Sequence, residues 1–225
     1  MDQSTIRHIQ QSVSYFAPEL MLSATFLIVL IGELFSRRPR YFGFGIVTIA
    51  GVIGSLFLTY KLYFFPSATV FFRMIVVDDF ALFFKILFGI ITILVVLFSF
   101  DSKELRPYSA GEYYCLLLAV VLGMNLLAAS NNLLMIWLSL ELVSVPSYLL
   151  AGFLKGSKLS AEAALKFVIY GAVSTAVMLF GFSYLYGMTG AYELSAIREH
   201  LAGAHINSVV MLITIALILV GFGYK

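Results

Sequence analysis

Residues 131–155 read NNLLMIWLSLELVSVPSYLLAGFLK, and between the asparagine pair and the closing lysine one residue, Glu141, does not belong in oil. A bilayer core of about 30 Å needs roughly 20 helical residues, so this stretch has the length of one membrane span. Glu141 lies about ten residues into it. At a rise of 1.5 Å per residue that is about 15 Å deep, close to the midplane. An ionised group there costs about 2.5–3.5 kcal/mol on insertion scales. Binding a proton, pairing with a cation or facing water each relieves that cost. The reading of this helix therefore turns on what keeps Glu141 in place.

The rest of the chain follows the same pattern. Its 225 residues are 61% hydrophobic and 12% charged, with a mean hydropathy of +1.00, whereas soluble domains carry about 25% charged residues. That balance describes an integral membrane protein. The net charge of +2 gives no reason to expect nucleic acid as a partner. No glycine-rich phosphate loop, metal-ligand cluster, catalytic triad spacing, or haem or iron–sulfur spacing stands out. Cys115 is a single cysteine in an apolar run; it excludes an intramolecular disulfide and reads as packing.

The expected fold is all-α and polytopic, with about seven spans near 17–36, 41–64, 79–100, 112–129, 132–154, 163–187 and 206–225. The long run 113–140 is divided by Ser130-Asn131-Asn132, where Ser or Asn can cap the following helix. Segment 66–78, rich in β-branched and aromatic residues, predicts a short extended or hairpin element. Asp78-Asp79 then sits where a helix N-terminus favours negative charge. Residues 192–205 read as an interfacial or loop segment. The loops after spans one, three and five carry Arg37, Arg38, Arg40, Lys103, Arg106, Lys155 and Lys158, against Arg7, Lys61, Arg73 and Arg198 on the other side. The positive-inside rule then places the N-terminus outside. The first apolar run has its positive charge after it, so it reads as a retained helix and not as a cleavable signal. The final run, VVMLITIALILVGFGYK, carries no stop signal, and the chain reads as part of a longer protein.

Around Glu141, Pro146 removes the hydrogen bond to the Leu142 carbonyl and predicts a kink. Ser139, Ser144 and Ser147 can bond freed carbonyls, water or simply their own turn. Lys166 is four residues after Glu162, a favourable helical pairing; snorkelling to the interface and a functional role stay equally open. Lys85 reads as a snorkelling residue, Glu33 and Glu112 as reaching headgroups, and His200 and His205 as solvated. Small residues in GAVSTAVMLFG, 171–181, predict tight helix packing. Lys225 follows Gly221 and Gly223, and its partner is open on spacing alone.

WLSLELVSVPSYLLAGF (137–153), AEAALKFVIYGAVSTAVMLFGFSYLYGMTG (161–190) and LVGFGYK (219–225) resemble the antiporter-like membrane subunits of respiratory complex I, most of all subunit N. APELMLSATFLIVLIGELF (17–35) and VVDDFALFFK (76–85) agree with this. The resemblance implies a fold of about fourteen helices with two inverted repeats, each containing one broken helix. Here it implies helices one to three in 1–111 and an incomplete first repeat in 112–225, with the broken helix beginning near the C-terminal end. It implies that Glu141 pairs with Lys225 and that Lys166 joins them in proton translocation, while Ser144 and Pro146, from their own chemistry, read as support for the kinked helix. It further implies no cofactor or metal in this chain, with flavin, iron–sulfur clusters and quinone in other subunits of the complex. The partners would be other membrane subunits and the lipid bilayer, in a bacterial inner membrane. A subunit of a multisubunit sodium/proton antiporter is the alternative, and complexes fed by ferredoxin are related.

Overall fold

The structure is a computed structural model and describes residues 12–35, 41–102, 105, 110–203 and 207–225. Its elements in chain order are α1 (Ala17–Phe35), α2 (Tyr41–Leu62), β1 (Ala68–Val70), β2 (Ile75–Val77), α3 (Asp79–Ser99), α4 (Ala110–Ala128), α5 (Leu133–Ala151), α6 (Lys158–Thr189), α7 (Leu194–Gly203) and α8 (Ser208–Tyr224). Six helices, α1 to α6, are long and apolar enough to cross a membrane, and α8 is a shorter apolar helix. Together they occupy the seven expected apolar segments, and the protein is an all-α, multi-pass membrane protein with a small hairpin. Arg7, Arg37, Arg38, Arg40, Lys103, Arg106 and His205 lie outside the described residues.

Capping sets several boundaries. The Asn132 side chain accepts from Met135 N at 2.7 Å and starts α5. The Asp78 carboxylate accepts from Ala81 N at 2.8 Å and starts α3. Ser157 accepts from Ser160 N, which begins α6 five residues earlier than expected, and Gly190 closes α6 at φ 65°. At 32 residues, α6 is about 48 Å long, well beyond the hydrocarbon thickness. The kink predicted at Pro146 does not interrupt α5, which stays helical from Leu133 to Ala151.

Two packed groups result. Leu22, Val29, Val52, Val96, Leu118 and Val121 form the interior of α1 to α4. Leu133, Met178, Phe182 and Ile197 join α5 to α6 and α7. The groups meet where α4 crosses α5: a Cβ on Gly123 would lie 2.8 Å from the backbone nitrogen of Val143, so only glycine permits this approach. The small stripe of α6 behaves as expected. Gly171, Ser174, Met178 and Gly181 are buried, and a Cβ on Gly221 of α8 would come within 2.9 Å of Met178 Cα.

The predicted hairpin is present. β1 and β2 pair antiparallel, with Ala68 opposite Val77 and Val70 opposite Ile75. Phe71, Phe72 and Arg73 turn the chain with φ of 51°, 54° and 63°, a conformation that bulky residues rarely adopt. Bonds around the turn hold it there. Asn131 Nδ2 donates to the Arg73 carbonyl, Asn131 N to Met74 O, and Val76 N to Ala129 O. The same α4–α5 turn also binds the segment after α6, through Leu133 N to Tyr192 O and Leu194 N to Asn131 O. α7 lies in the segment expected to be interfacial or loop.

Candidate functional site

Glu141 is the ninth residue of the 19 in α5, so it sits about halfway along a membrane-length helix. Its Oε1 is 2.6 Å from Lys225 Nζ. Lys225 directly follows α8, which remains regular to Tyr224. Between them stands Thr175 of α6, a residue that the sequence reading passed over. Lys225 Nζ donates to Thr175 Oγ1 at 2.7 Å, and Thr175 Oγ1 donates to Glu141 Oε1 at 2.7 Å. Three helices thus close a triangle of ammonium, hydroxyl and carboxylate. The lysine side chain is 5% exposed and the glutamate side chain 30%. The cation is sealed in protein while the carboxylate keeps an open edge.

The local sequence explains the aim of these groups. Ser174 Oγ, next to Thr175, donates at 2.6 Å to the Gly221 carbonyl, one turn before Lys225. That bond and the bare glycine surface bring the end of α8 against α6. Ser144 Oγ and Ser147 Oγ donate to the Leu140 and Val143 carbonyls of their own helix, and Pro146 is buried. None of the three touches the triangle. Lys166 is not drawn in either. Its Nζ is 2.6 Å from Glu162 Oε1, both side chains are more than half exposed, and nine residues, about 14 Å of helix, separate it from Thr175. Glu112 pairs with Lys155 at 3.1 Å on the surface.

Lys85 corrects the sequence reading. It does not snorkel: its side chain is 1% exposed and its Nζ lies 2.6 Å from Oε1 of Glu19, also 1% exposed. Glu19 was missed because a carboxylate in the first turn of a helix is ordinary dipole compensation. The available signal was that α1 and α3 start at the same end of the bundle, with Glu19 and Lys85 two and six residues inside.

Ionisable residues inside membrane helices commonly mark ion and proton pathways. Residues 130–225 match the family described as NADH:quinone oxidoreductase/Mrp antiporter, TM. Over its length the chain is 43% identical to NADH-quinone oxidoreductase subunit N 2 of Chloroherpeton thalassium, covering 99% of this chain and 44% of that protein. It is 32% identical to F(420)H(2) dehydrogenase subunit N of Methanosarcina mazei, covering 96% and 45%. Among solved structures it superposes on a chain of respiratory complex I from Thermus thermophilus with bound aureothin, with a TM-score of 0.73, 27% identity, and coverage of 92% of this chain and 43% of that one. Over nearly its whole length the chain is similar to these subunit N proteins. It spans less than half the length of the curated relatives it matches.

The triangle makes a direct prediction. Thr175→Val keeps the side-chain shape and removes the hydroxyl, while Thr175→Ser retains it. Hydrogen bonds to charged groups are worth about 1.5–3 kcal/mol, and the open edge at Glu141 favours the lower end. Thermal unfolding of the purified full-length protein in detergent should show Val destabilised by about 1.5 kcal/mol relative to Ser. Equal midpoints would mean that the hydroxyl does not bridge the pair.

Proposed function

We propose that the chain is part of the proton-translocating membrane subunit N of an NADH–quinone oxidoreductase. The Glu141–Lys225 ion pair, bridged by Thr175, is the observation that carries this reading. In the paired state each charge answers the other. If movement at the end of α8 separates them, an ammonium is left without its counter-charge in a medium of low dielectric. Passing the proton onward relieves that cost, and re-pairing resets the site. The two groups act as one coupled unit. Thr175 holds them in register, and Gly221, bonded by Ser174, sits where such movement would begin. Lys166 stands apart as a candidate next station.

The electrons travel elsewhere: flavin, iron–sulfur clusters and quinone are assigned to other subunits, with which this chain would pack in a bacterial inner membrane, N-terminus outward. The family also includes Mrp-type antiporters, so a sodium/proton antiporter subunit is the second reading. Affinity purification of the tagged full-length protein from its native membrane separates the two. Recovery with a complex that reduces quinone from NADH is expected. Recovery only with other antiporter subunits, and no quinone reduction, would overturn the first reading.

A further inference from the structure

Outside the matched region 130–225, the bundle of α1 to α4 contains the second ion pair, Glu19–Lys85. We propose that this pair is a proton-holding site in its own right, separate from Glu141–Lys225. Taking up one proton converts the carboxylate to a carboxylic acid beside the retained ammonium, and releasing it restores the pair. The site goes from no net charge to one positive charge on uptake and back on release, with nothing else consumed.

Three observations point this way. First, both side chains are 1% exposed inside helices of membrane length, where a matched apolar pair would pack at least as well. Second, the site is under-bonded. Lys85 Nζ lies 2.6 Å from Glu19 Oε1, but Glu19 Oε2 has no hydrogen-bond donor among the described residues. A carboxylate held for structure alone is expected to have its lone pairs met. A carboxylic acid needs fewer donors and brings one of its own. Third, a further polar atom is stranded at the same end of the bundle. Asn125 of α4, three residues before that helix ends, is 2% exposed, and its Oδ1 has no hydrogen-bond partner among the described residues. It is an acceptor where only a proton donor is missing.

Among the described residues, the polar side chains around the pair are taken up by other partners. From α2, the nearby buried polar residues are Ser55, which donates to the Pro18 carbonyl, and Thr59, which donates to Ser55 O. Lys61 lies over the Phe57 ring. On α3, Asp78 is occupied as the cap and Asp79 is exposed. Tyr15, Leu62 and Leu82 pack with Val70, Ile75 and Val77 of the hairpin in one buried apolar cluster.

This inference rests on the proton-translocating reading only for what the held proton serves, and the test reads protonation itself. The full-length protein in its native membrane complex is examined by infrared difference spectroscopy across a pH step, in H2O and D2O. The expected result is a carboxylic C=O band that shifts down in D2O, is lost in Glu19→Gln and persists in Glu141→Gln. Where Glu19→Gln fails to assemble, Glu19→Asp serves, and the band should move in frequency. Identical wild-type and variant spectra in that region would overturn the proposal, whatever becomes of pumping at Glu141.

Discussion

On the proposed function, Glu141→Gln in the full-length protein is expected to leave the membrane complex assembled while cutting the protons taken up per NADH oxidised. The amide can still accept from the Thr175 hydroxyl, which now contacts Glu141 Oε1 at 2.7 Å, so the helices keep their contact. It cannot supply the charge that holds Lys225. Positioned proton donors and acceptors contribute about 10²–10⁴-fold to the steps they serve, so a fall of at least about tenfold in pumping is the expected size. Glu141→Ala removes the contact as well. Both variants leave an ammonium that is 5% exposed without its counter-charge, at a cost bounded by about 4.6 kcal/mol, the free energy of deprotonating an ordinary lysine at pH 7, but only glutamine keeps an oxygen that can accept from it. Assembly should therefore suffer more in the alanine variant than in the glutamine variant. A native gel run beside the proton measurement distinguishes the two effects. Normal turnover and normal proton yield in the glutamine variant would make Glu141 a structural residue.

The largest stability effect is expected at Glu19 and Lys85. Both are almost fully buried, so removing one partner leaves the other uncompensated, and such losses run to about 3–5 kcal/mol. The two single variants should differ. Glu19→Leu strands a lysine, bounded at about 4.6 kcal/mol, whereas Lys85→Met strands a glutamate that can take a proton for about 3.7 kcal/mol at pH 7. The double variant removes both charges and should recover most of the loss. Membrane-inserted protein levels and thermal midpoints in detergent measure this. Additive losses in the double variant would show that the pair does not act as a pair.

Glu141 was legible because an isolated carboxylate in a membrane-length run has no bland setting, and Asn132 because a polar residue between two apolar helices has a capping role. The hairpin was legible from its β-branched and aromatic residues, and the α6 packing face from the small residues of 171–181. Lys225 was a different case. Its partner lies 84 residues away, and no spacing rule reaches across two intervening helices; the family resemblance supplied that pairing, and the geometry of the structure agrees with it. Thr175 was hidden inside a stripe of small residues that already had a packing explanation. Glu19 and Lys85 were hidden for the opposite reason. Each sits near a helix start, where a charge is common, and their meeting depends on how α1 and α3 stand beside one another. The start of α6 shifted because Ser157 captured a backbone donor before the apolar run began.

The junction at Asn131 and Leu133 has a consequence for how this protein can change over generations. Its ties to the hairpin and to the segment after α6 are largely made by peptide groups: Asn131 N, Leu133 N and Leu194 N donate to the carbonyls of Met74, Tyr192 and Asn131. Every residue but proline carries that donor. Most side chains in these strands of the knot can drift without undoing it, while proline at 131, 133 or 194 would cut a tie outright. Inheritance is therefore constrained here by what must be absent more than by what must be present.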